Sequence, residues 1–282
     1  PRNNGVLNVT GVITRSSNIG AAKIAAKMPD QSFYDSIHSF GYGSRPGSGF
    51  PGESAGSLRR PTNWDGATKT TMSYGYGLSV TPLQIATAYS ALGNGGRLIP
   101  PTFVKGQRNE GHQVIDPQVA HDVVAMMETV VTQGGAKQAA VLGYHVAGKT
   151  GTARKAGPNG YERGHYNALF AGVVPATNPR FATVIVINDP QGGKYYGGLV
   201  SAPVFHNVME GALRLMDVPP DDIQSWLVAQ QSGKTGHAAS VLPAPPANTP
   251  LPADAAAEFD AAVPHVQAPA PVTAPAPTGG TQ

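Results

Sequence analysis

The spacing of apolar and polar positions predicts three helices in the first half of the chain. Apolar and small residues recur at helical spacing in IGAAKIAAKM, which follows the Ser-Ser-Asn sequence at 16–18. LQIATAYSAL follows Thr-Pro at 81–82, and VAHDVVAMMETVV follows Asp-Pro at 116–117. Both of these segments end at glycines. A capping side chain, a proline at the first helical position and a closing glycine are typical of helix boundaries.

The second half has the pattern of β-strands. Tyr144–Ala147 leads into Lys149–Thr152, NALFAGVV occupies 167–174, and FATVIVIN occupies 181–188. The turn-rich segments GPNGYERGH and PATNP separate them, which predicts three consecutive antiparallel strands. FATVIVIN is almost continuously apolar, so we expect it to be covered on both faces, one of them by a helix over VSAPVFHNVMEGALRLM. Helices, a three-stranded meander and a further helix predict an α+β domain.

Composition divides the chain near Ser232. The following stretch is rich in alanine and proline and has few large apolar side chains. Burial of such a sequence cannot offset the entropy lost on ordering it. We therefore predict one domain over residues 1–232 and a disordered tail over 233–282.

Charge and residue usage exclude several classes of function. The formal net charge is +3 with 13% charged residues and no run of Lys or Arg, so we expect no nucleic-acid partner. The chain has no cysteine, and its eight histidines show no metal-binding spacing, so we expect neither a metal nor another cofactor. No apolar stretch approaches the roughly 18 residues of a membrane span, and no signal peptide follows Pro1.

Two tripeptides carry the residue types of serine acyl-transfer chemistry. The sequence at 16–18 fits Ser-x-Asn, and the sequence at 149–151 fits Lys-Thr-Gly. Taken alone, the first is also a helix cap and the second a strand end. A substrate ending in a carboxylate needs a nearby cation, which Lys149 can supply, with hydroxyls from Thr150 and Thr152. Gly151 would let an extended substrate approach the strand backbone.

Longer segments carry a resemblance to a known family. HVAGKTGTARKAG, MSYGYGLSVTPLQIATAYSAL, FATVIVINDPQGGKYYGGLVSAPVF and ITRSSNIGAAKIA closely resemble class B penicillin-binding proteins. Among these, they are most similar to the cell-division (septal) peptidoglycan D,D-transpeptidase of Gram-negative bacteria. The resemblance runs from about Gly11 to Leu227. It implies the penicillin-binding/β-lactamase-like fold, an antiparallel sheet flanked by helices, incomplete at its N-terminus.

The same resemblance implies a reaction and a setting. In this family a serine attacks the D-Ala-D-Ala bond of a peptidoglycan stem peptide and forms an acyl-enzyme, which an amine of a neighbouring strand resolves. β-Lactams mimic the dipeptide. The implied partners are the stem peptide, β-lactams and membrane proteins of the divisome. The implied location is the periplasmic face of the bacterial inner membrane.

Roles for individual residues also follow from the resemblance. Ser16 and Asn18 would form the second catalytic motif, and Lys149 would lead the third. Substrate contacts are implied for Thr150, Gly151, Thr152, Arg154 at the cleft edge, and an aromatic wall of Tyr166, Tyr195 and Tyr196. Tyr195 and Tyr196 also fit ordinary aromatics flanking a Gly-Gly turn, and Tyr74 and Tyr76 fit packing or ligand contact equally well.

The sequence departs from the family at the first motif. Ser-x-x-Lys should precede Ser-x-Asn, yet no lysine has a serine three residues before it. We therefore expect the nucleophile and its general-base lysine in an upstream segment, and we expect this chain alone to be inactive and aggregation-prone. Two rival interpretations are a non-catalytic penicillin-binding-type module that binds peptides, and a β-lactamase or D,D-carboxypeptidase.

Overall fold

The computed structural model describes residues 4–158 and 160–231, so the tail predicted for 233–282 lies outside the described residues. The helices are α1 (Val9–Thr14), α2 (Asn18–Ala26), α3 (Asp30–Ser39), α4 (Thr68–Met72), α5 (Pro82–Gly93), α6 (Pro117–Thr132), α7 (Gly197–Val200), α8 (Ala202–Leu215) and α9 (Ile223–Gln231). Short 3-10 helices cover Pro61–Asn63 and Lys137–Ala139. The strands are β1 (Arg97–Leu98), β2 (His112–Gln113), β3 (Ala147–Gly157), β4 (Gly160–Val174) and β5 (Phe181–Asn188).

The predicted helix starts are confirmed, and side-chain caps explain them. At the start of α5 the Thr81 hydroxyl accepts from the Gln84 N–H at 3.1 Å, and the Gln84 side chain accepts from the Thr81 N–H at 2.7 Å. This reciprocal pair satisfies two backbone donors that the helix itself cannot. At the start of α6 the Asp116 carboxylate accepts from the Gln118 N–H at 2.8 Å.

The Ser-Ser-Asn sequence has a different role at each position. The Ser17 hydroxyl accepts from the Gly20 N–H at 3.1 Å, so Ser17 is the cap of α2. Asn18 is the first residue of the helix and is exposed. Ser16 lies in the turn between α1 and α2 with φ at 54°, a left-handed conformation that serine seldom adopts.

The predicted antiparallel meander is confirmed, in the order β3-β4-β5. Two of its strands are longer than predicted, because GPNGYERGH continues them to a tight hairpin in which Gly157 lies opposite Gly160. The register shifts between the pairs Arg154–Tyr166 and Ala156–Tyr161. There β4 has four residues, 162–165, opposite the single residue 155 of β3. β3 begins at Ala147, three residues later than the sequence suggested.

The sheet lies between two helical layers. On one face Phe170 of β4 meets Phe205 of α8 edge-on at 4.8 Å, and both rings are fully buried. On the other face Val173 of β4 packs with Met127 of α6. β5 contacts both α5 and α8, so helices lie on both sides of FATVIVIN. The predicted cover is only partial, because no residue of β5 is fully buried and Val186 is 38% exposed. The helix predicted after β5 is interrupted at Ser201, two residues before Pro203, since proline cannot supply a helical N–H.

Candidate active site

The two tripeptide motifs meet through one hydrogen bond. The Lys149 ammonium donates to the Ser16 hydroxyl at 2.8 Å and to the carbonyl oxygen of Thr150 at 3.1 Å. Ser16 and Lys149 are 133 residues apart in the chain. The fold therefore brings the Ser-x-Asn turn against the Lys-Thr-Gly strand.

Helix α6 holds the two motifs in place. It contacts both α1, which precedes the Ser-x-Asn turn, and β3, which carries Lys149. The hydroxyls of Thr14 and Thr129 form a hydrogen bond between α1 and α6. Just after α6, a Cβ at Gly134 would lie 2.7 Å from the carbonyl oxygen of Thr14, so this approach requires a glycine. The left-handed Ser16 is thus held by its surroundings, and such backbone strain is concentrated at functional sites in proteins.

The Lys149 side chain is a partly buried cation. Burial lowers its pKa from the ordinary lysine value to about 8, so the ammonium form still predominates at neutral pH. Among the residues that the structure describes, no carboxylate forms a salt bridge with it. An ammonium in this environment is suited to binding an anionic group of a ligand.

β3 presents an open edge beside this cation. The Tyr166 carbonyl accepts from the Asp189 N–H at 2.8 Å, so the backbone of Tyr166 faces β5. Arg154 lies opposite Tyr166 on β3, so the two residues form a non-hydrogen-bonded pair of the antiparallel ladder. Arg154 therefore directs its N–H and C=O away from β4. Because the direction alternates along a strand, Thr150 and Thr152 direct theirs the same way. The bond from the Lys149 ammonium to the Thr150 carbonyl lies at this edge.

Thr152 anchors the segment that follows β5. Its hydroxyl accepts from the Gly197 N–H at 3.1 Å, at the start of α7. A Cβ at Gly197 would lie 2.2 Å from the carbonyl oxygen of Leu169 and 2.6 Å from that of Gly151. Only glycine allows this approach to the sheet backbone, so the Gly-Gly pair considered above as a turn is instead a helix start packed on β3 and β4.

Packing within the sheet explains Gly151. A Cβ there would lie 2.8 Å from Cγ of Leu169, the residue opposite it on β4. The space that a side chain at 151 would take is therefore filled by Leu169. Packing is thus a second reason for the glycine, and the approach of a substrate to the strand stays a prediction.

The three tyrosines predicted as an aromatic wall contact one another. Tyr166 and Tyr195 stack at 4.1 Å with an interplanar angle of 11°, and Tyr195 and Tyr196 stack at 4.5 Å and 30°. The hydroxyls of Tyr195 and Tyr196 are 3.3 Å apart. All three side chains remain partly exposed, so the stack presents a surface to solvent.

Tyr76 contacts β3 through a link that sequence reasoning missed. The backbone N–H of Arg154 donates to the Tyr76 hydroxyl at 3.3 Å, and the N–H of Gly77 donates to the Tyr161 hydroxyl at 3.4 Å. The Tyr76 and Tyr161 rings meet edge-on at 5.1 Å. The loop after α4 and the β3–β4 hairpin are therefore joined in both directions. No local pattern signals this link, because its partners are 78 and 84 residues apart.

Within residues 4–158 and 160–231, no helix has both the length and the apolar character needed to cross a bilayer. Nor do three or more His, Cys, Asp or Glu side chains come together there in a way that could hold a metal ion.

Comparisons with known proteins identify a related family. The model of the penicillin binding protein transpeptidase domain matches residues 1–210. The peptidoglycan D,D-transpeptidase FtsI of Escherichia coli K12 is 43% identical over 238 residues, which are 82% of this chain and 40% of that protein. The probable peptidoglycan D,D-transpeptidase PbpC of Pseudomonas aeruginosa is 41% identical over 221 residues, which are 78% of this chain and 39% of that protein. The chain thus spans about two fifths of the length of these relatives.

Solved structures give the same result for the fold. The apo transpeptidase domain of Burkholderia pseudomallei penicillin-binding protein 3 superimposes with a TM-score of 0.72 and is 43% identical. The match covers 77% of this chain and 67% of that one. The predicted α+β transpeptidase fold and the resemblance to class B penicillin-binding proteins are confirmed. The chain belongs to the family of penicillin-binding protein transpeptidase domains.

Proposed function

We propose that this chain is part of a peptidoglycan D,D-transpeptidase that cross-links stem peptides at the division septum. The observation that carries the proposal is the 2.8 Å contact between Lys149 and Ser16 beside the open edge of β3. The 43% identity to E. coli FtsI supports the septal assignment. We further propose that a segment upstream of Pro1 supplies the Ser-x-x-Lys motif, with its nucleophile and general-base lysine.

Lys149 binds the terminal carboxylate of the stem peptide in this proposal. Its ammonium is partly buried and has no carboxylate partner among the described residues, so an incoming carboxylate gains a charge-assisted hydrogen bond. The hydroxyls of Thr150 and Thr152 add donors beside it. Ser16 relays a proton through its contact with Lys149. Asn18, exposed one residue beyond the Ser17 cap, holds a substrate amide.

The peptide backbone pairs with the open edge of β3. An extended chain that adds to a sheet edge gains main-chain hydrogen bonds, here with the outward N–H and C=O groups of Thr152 and Thr150. The Thr152 N–H also serves as one donor for the oxyanion. Gly151 keeps β3 and β4 close, Arg154 lies at the cleft edge, and the stacked Tyr166, Tyr195 and Tyr196 flank the ligand.

The proposed reaction proceeds in two steps, acylation of the serine and transfer to an amine. The upstream serine oxygen attacks the carbonyl carbon of the D-Ala-D-Ala bond and transfers its proton toward the leaving amine, so that D-alanine departs and an ester remains. An amine of a second stem peptide then attacks this ester. The new amide joins the two stems, and the serine regains its proton.

The setting follows from the same assignment. We place the protein on the periplasmic face of the bacterial inner membrane, in contact with membrane proteins of the divisome. β-Lactams are expected to acylate the same serine. These assignments rest on the similarity to D,D-transpeptidases.

Benzylpenicillin and intact-mass spectrometry test the placement of the nucleophile. The protein expressed from the complete open reading frame should gain one stoichiometric acyl adduct at the serine of an upstream Ser-x-x-Lys, whereas residues 1–282 alone should gain none. A stoichiometric adduct on residues 1–282 would overturn the placement. An open reading frame without Ser-x-x-Lys would favour the non-catalytic module.

A stem pentapeptide with an amine acceptor tests the reaction. A transpeptidase joins two stems and releases D-alanine, whereas a D,D-carboxypeptidase only shortens one stem. Shortened peptide as the sole product would exclude the proposed reaction. Lys149→Met should abolish the joined product, and the surface variant Lys105→Met, in an exposed loop, serves as its control.

A further inference from the structure

The open edge of β3 ends at a backbone amide that already donates a hydrogen bond within the protein. Thr150, Thr152 and Arg154 all direct their backbone groups away from β4, as the pairing of Arg154 with Tyr166 requires. The N–H of Arg154 donates to the Tyr76 hydroxyl at 3.3 Å. Beyond Arg154 the pairing with β4 becomes irregular. The regular edge therefore offers Thr150 and Thr152 to a ligand, and Tyr76 takes the next position.

Tyr76 is held rigidly at this position. Its side chain is 8% exposed and packs edge-on against Tyr161 of β4 at 5.1 Å. Its own N–H donates to the carbonyl of Thr71, a buried residue of α4, at 3.0 Å. The Gly77 N–H donates to the Tyr161 hydroxyl, which ties the loop to the hairpin a second time. Burial raises the pKa of Tyr76, so its phenol stays neutral and keeps an oxygen that accepts a hydrogen bond.

We propose that Tyr76 is a positioning residue that closes the edge of β3 at Arg154 and sets the register in which an extended ligand pairs with Thr150 and Thr152. This inference rests on the proposed function for the identity of the ligand, but the closure of the edge does not depend on it. A ligand displaced by two residues would keep its side chains on the same faces, because side chains alternate with a period of two. Such a shift moves the ligand by about 7 Å along β3 and takes the scissile bond away from the nucleophile.

Two conservative variants separate this role from a general contribution to folding. Tyr76→Phe removes the oxygen that accepts from Arg154 and keeps the ring. Tyr161→Phe is the matched control, because it removes the other hydroxyl of the same ring pair, which accepts from Gly77. Both variants are made in the protein expressed from the complete open reading frame.

Residue-resolved amide hydrogen exchange tests the closure directly. In Tyr76→Phe the Arg154 amide should exchange about tenfold faster, whereas in Tyr161→Phe the Gly77 amide should speed up and Arg154 should not. When the unmodified protein is saturated with stem pentapeptide, the Thr150 and Thr152 amides should gain protection and Arg154 should not change. Arg154 exchange that is insensitive to Tyr76→Phe, or protection of Arg154 by the peptide, would overturn the proposal.

Kinetics with the pentapeptide provide the second readout. Tyr76→Phe should lower kcat and KM together by about threefold to tenfold, because a ligand bound two residues out of register occupies the site without reacting. Tyr161→Phe should leave both constants unchanged, and a fall of equal size in both variants would refute a specific role for Tyr76. If the unmodified protein turns over no peptide, the proposed function fails, and the exchange of the Arg154 amide in Tyr76→Phe still decides whether Tyr76 closes the edge.

Discussion

Replacing Gly197 with alanine should damage the contact between α7 and the sheet. The added Cβ would lie 2.2 Å from the carbonyl oxygen of Leu169 and 2.6 Å from that of Gly151. Ordinary contact begins at 3.4 Å, so the start of α7 must move by about 1.2 Å, the difference between 3.4 and 2.2 Å. Both obstructing atoms belong to backbone held in the β3–β4 pair, so the helix has to yield.

The energetic cost follows from two losses. Overpacking of this kind costs about 1–3 kcal/mol. The movement also breaks the hydrogen bond from the Gly197 N–H to the Thr152 hydroxyl, which contributes about 1 kcal/mol. We therefore expect Gly197→Ala to lower the free energy of unfolding by about 2–4 kcal/mol. The adjoining Tyr195 and Tyr196 should be displaced with the helix.

Gly211 provides a matched control for the same chemical change. It lies within α8, where an added Cβ would meet nothing within 4 Å. Alanine is the better helix former by about 1 kcal/mol, so Gly211→Ala should be neutral or stabilising. The difference between the two variants isolates the cost of the close approach from that of adding a methyl group.

Urea unfolding followed by tryptophan fluorescence compares both variants with the unmodified protein, all expressed from the complete open reading frame. The chain contains two tryptophans, Trp64 and Trp226, and the midpoint and slope together give the free energy. Equal stabilities for Gly197→Ala and Gly211→Ala would refute the reasoning. A lower midpoint for Gly197→Ala with an unchanged slope would support it.

The remaining predictions concern one cation and one buried amide. Acylation by a β-lactam that carries a carboxylate should weaken as the pH rises through about 8, where Lys149 loses its proton and no longer binds that carboxylate. Lys149→Arg should move this fall to higher pH, and a profile common to both proteins would contradict the assignment. The free energy of unfolding should instead rise between pH 8 and 10.5, because the folded state then binds fewer protons at Lys149 than the unfolded state does. Urea midpoints that rise equally in Lys149→Met would count against this. Gln84→Ala should destabilise by about 2–4 kcal/mol, because the two protons of its buried amide are shared among three backbone carbonyls of the 41–55 loop. Gln118→Ala on the exposed face of α6 should cost less than about 0.5 kcal/mol, and similar urea midpoints for the two variants would refute this.

Elements with a strong local signal were predicted closely. The bounds of β5 agree with the FATVIVIN segment, because a run of β-branched residues flanked by turns has few alternatives. α5 begins where Thr-Pro predicts it, since the capping box is formed by residues that are neighbours in sequence. In both cases the stabilising partners lie within a few residues, so the sequence alone carries the information.

Elements whose stability depends on distant partners were missed. α3 has no fully buried residue, and its apolar positions Phe33, Tyr34 and Ile37 lie at helical spacing over little more than one turn, which is too short a pattern to predict a helix. Phe33 packs edge-on against Trp64, a partner that is distant in the chain. The Gly and Asn residues of GPNGYERGH indicate a loop, yet the segment is largely strand because Ala156 pairs with Tyr161 beyond the irregularity. Pairing between strands overrides the local preference there.

In the candidate site, too, some contacts were predicted from the sequence and others were not. Motif and resemblance predicted that Lys149 and the Ser-x-Asn turn act together, and the 2.8 Å bond to Ser16 joins them. Two contacts had no sequence signal: the hydrogen bond from the Gly197 N–H to the Thr152 hydroxyl and the one from the Arg154 N–H to the Tyr76 hydroxyl. Each depends on a register that only the assembled sheet defines.

The short edge of β3 also bears on how a ligand is recognised. Between the Lys149–Ser16 contact and the Arg154–Tyr76 contact, the outward residues are Thr150 and Thr152, about 7 Å apart. The Thr150 carbonyl already accepts from Lys149, so few main-chain groups remain for pairing. Each main-chain bond contributes only about 1 kcal/mol net, which is too little to select a peptide by itself. Under the proposed function, selectivity must therefore come mainly from the ammonium of Lys149, and a ligand without a terminal carboxylate loses the strongest contact the site can offer.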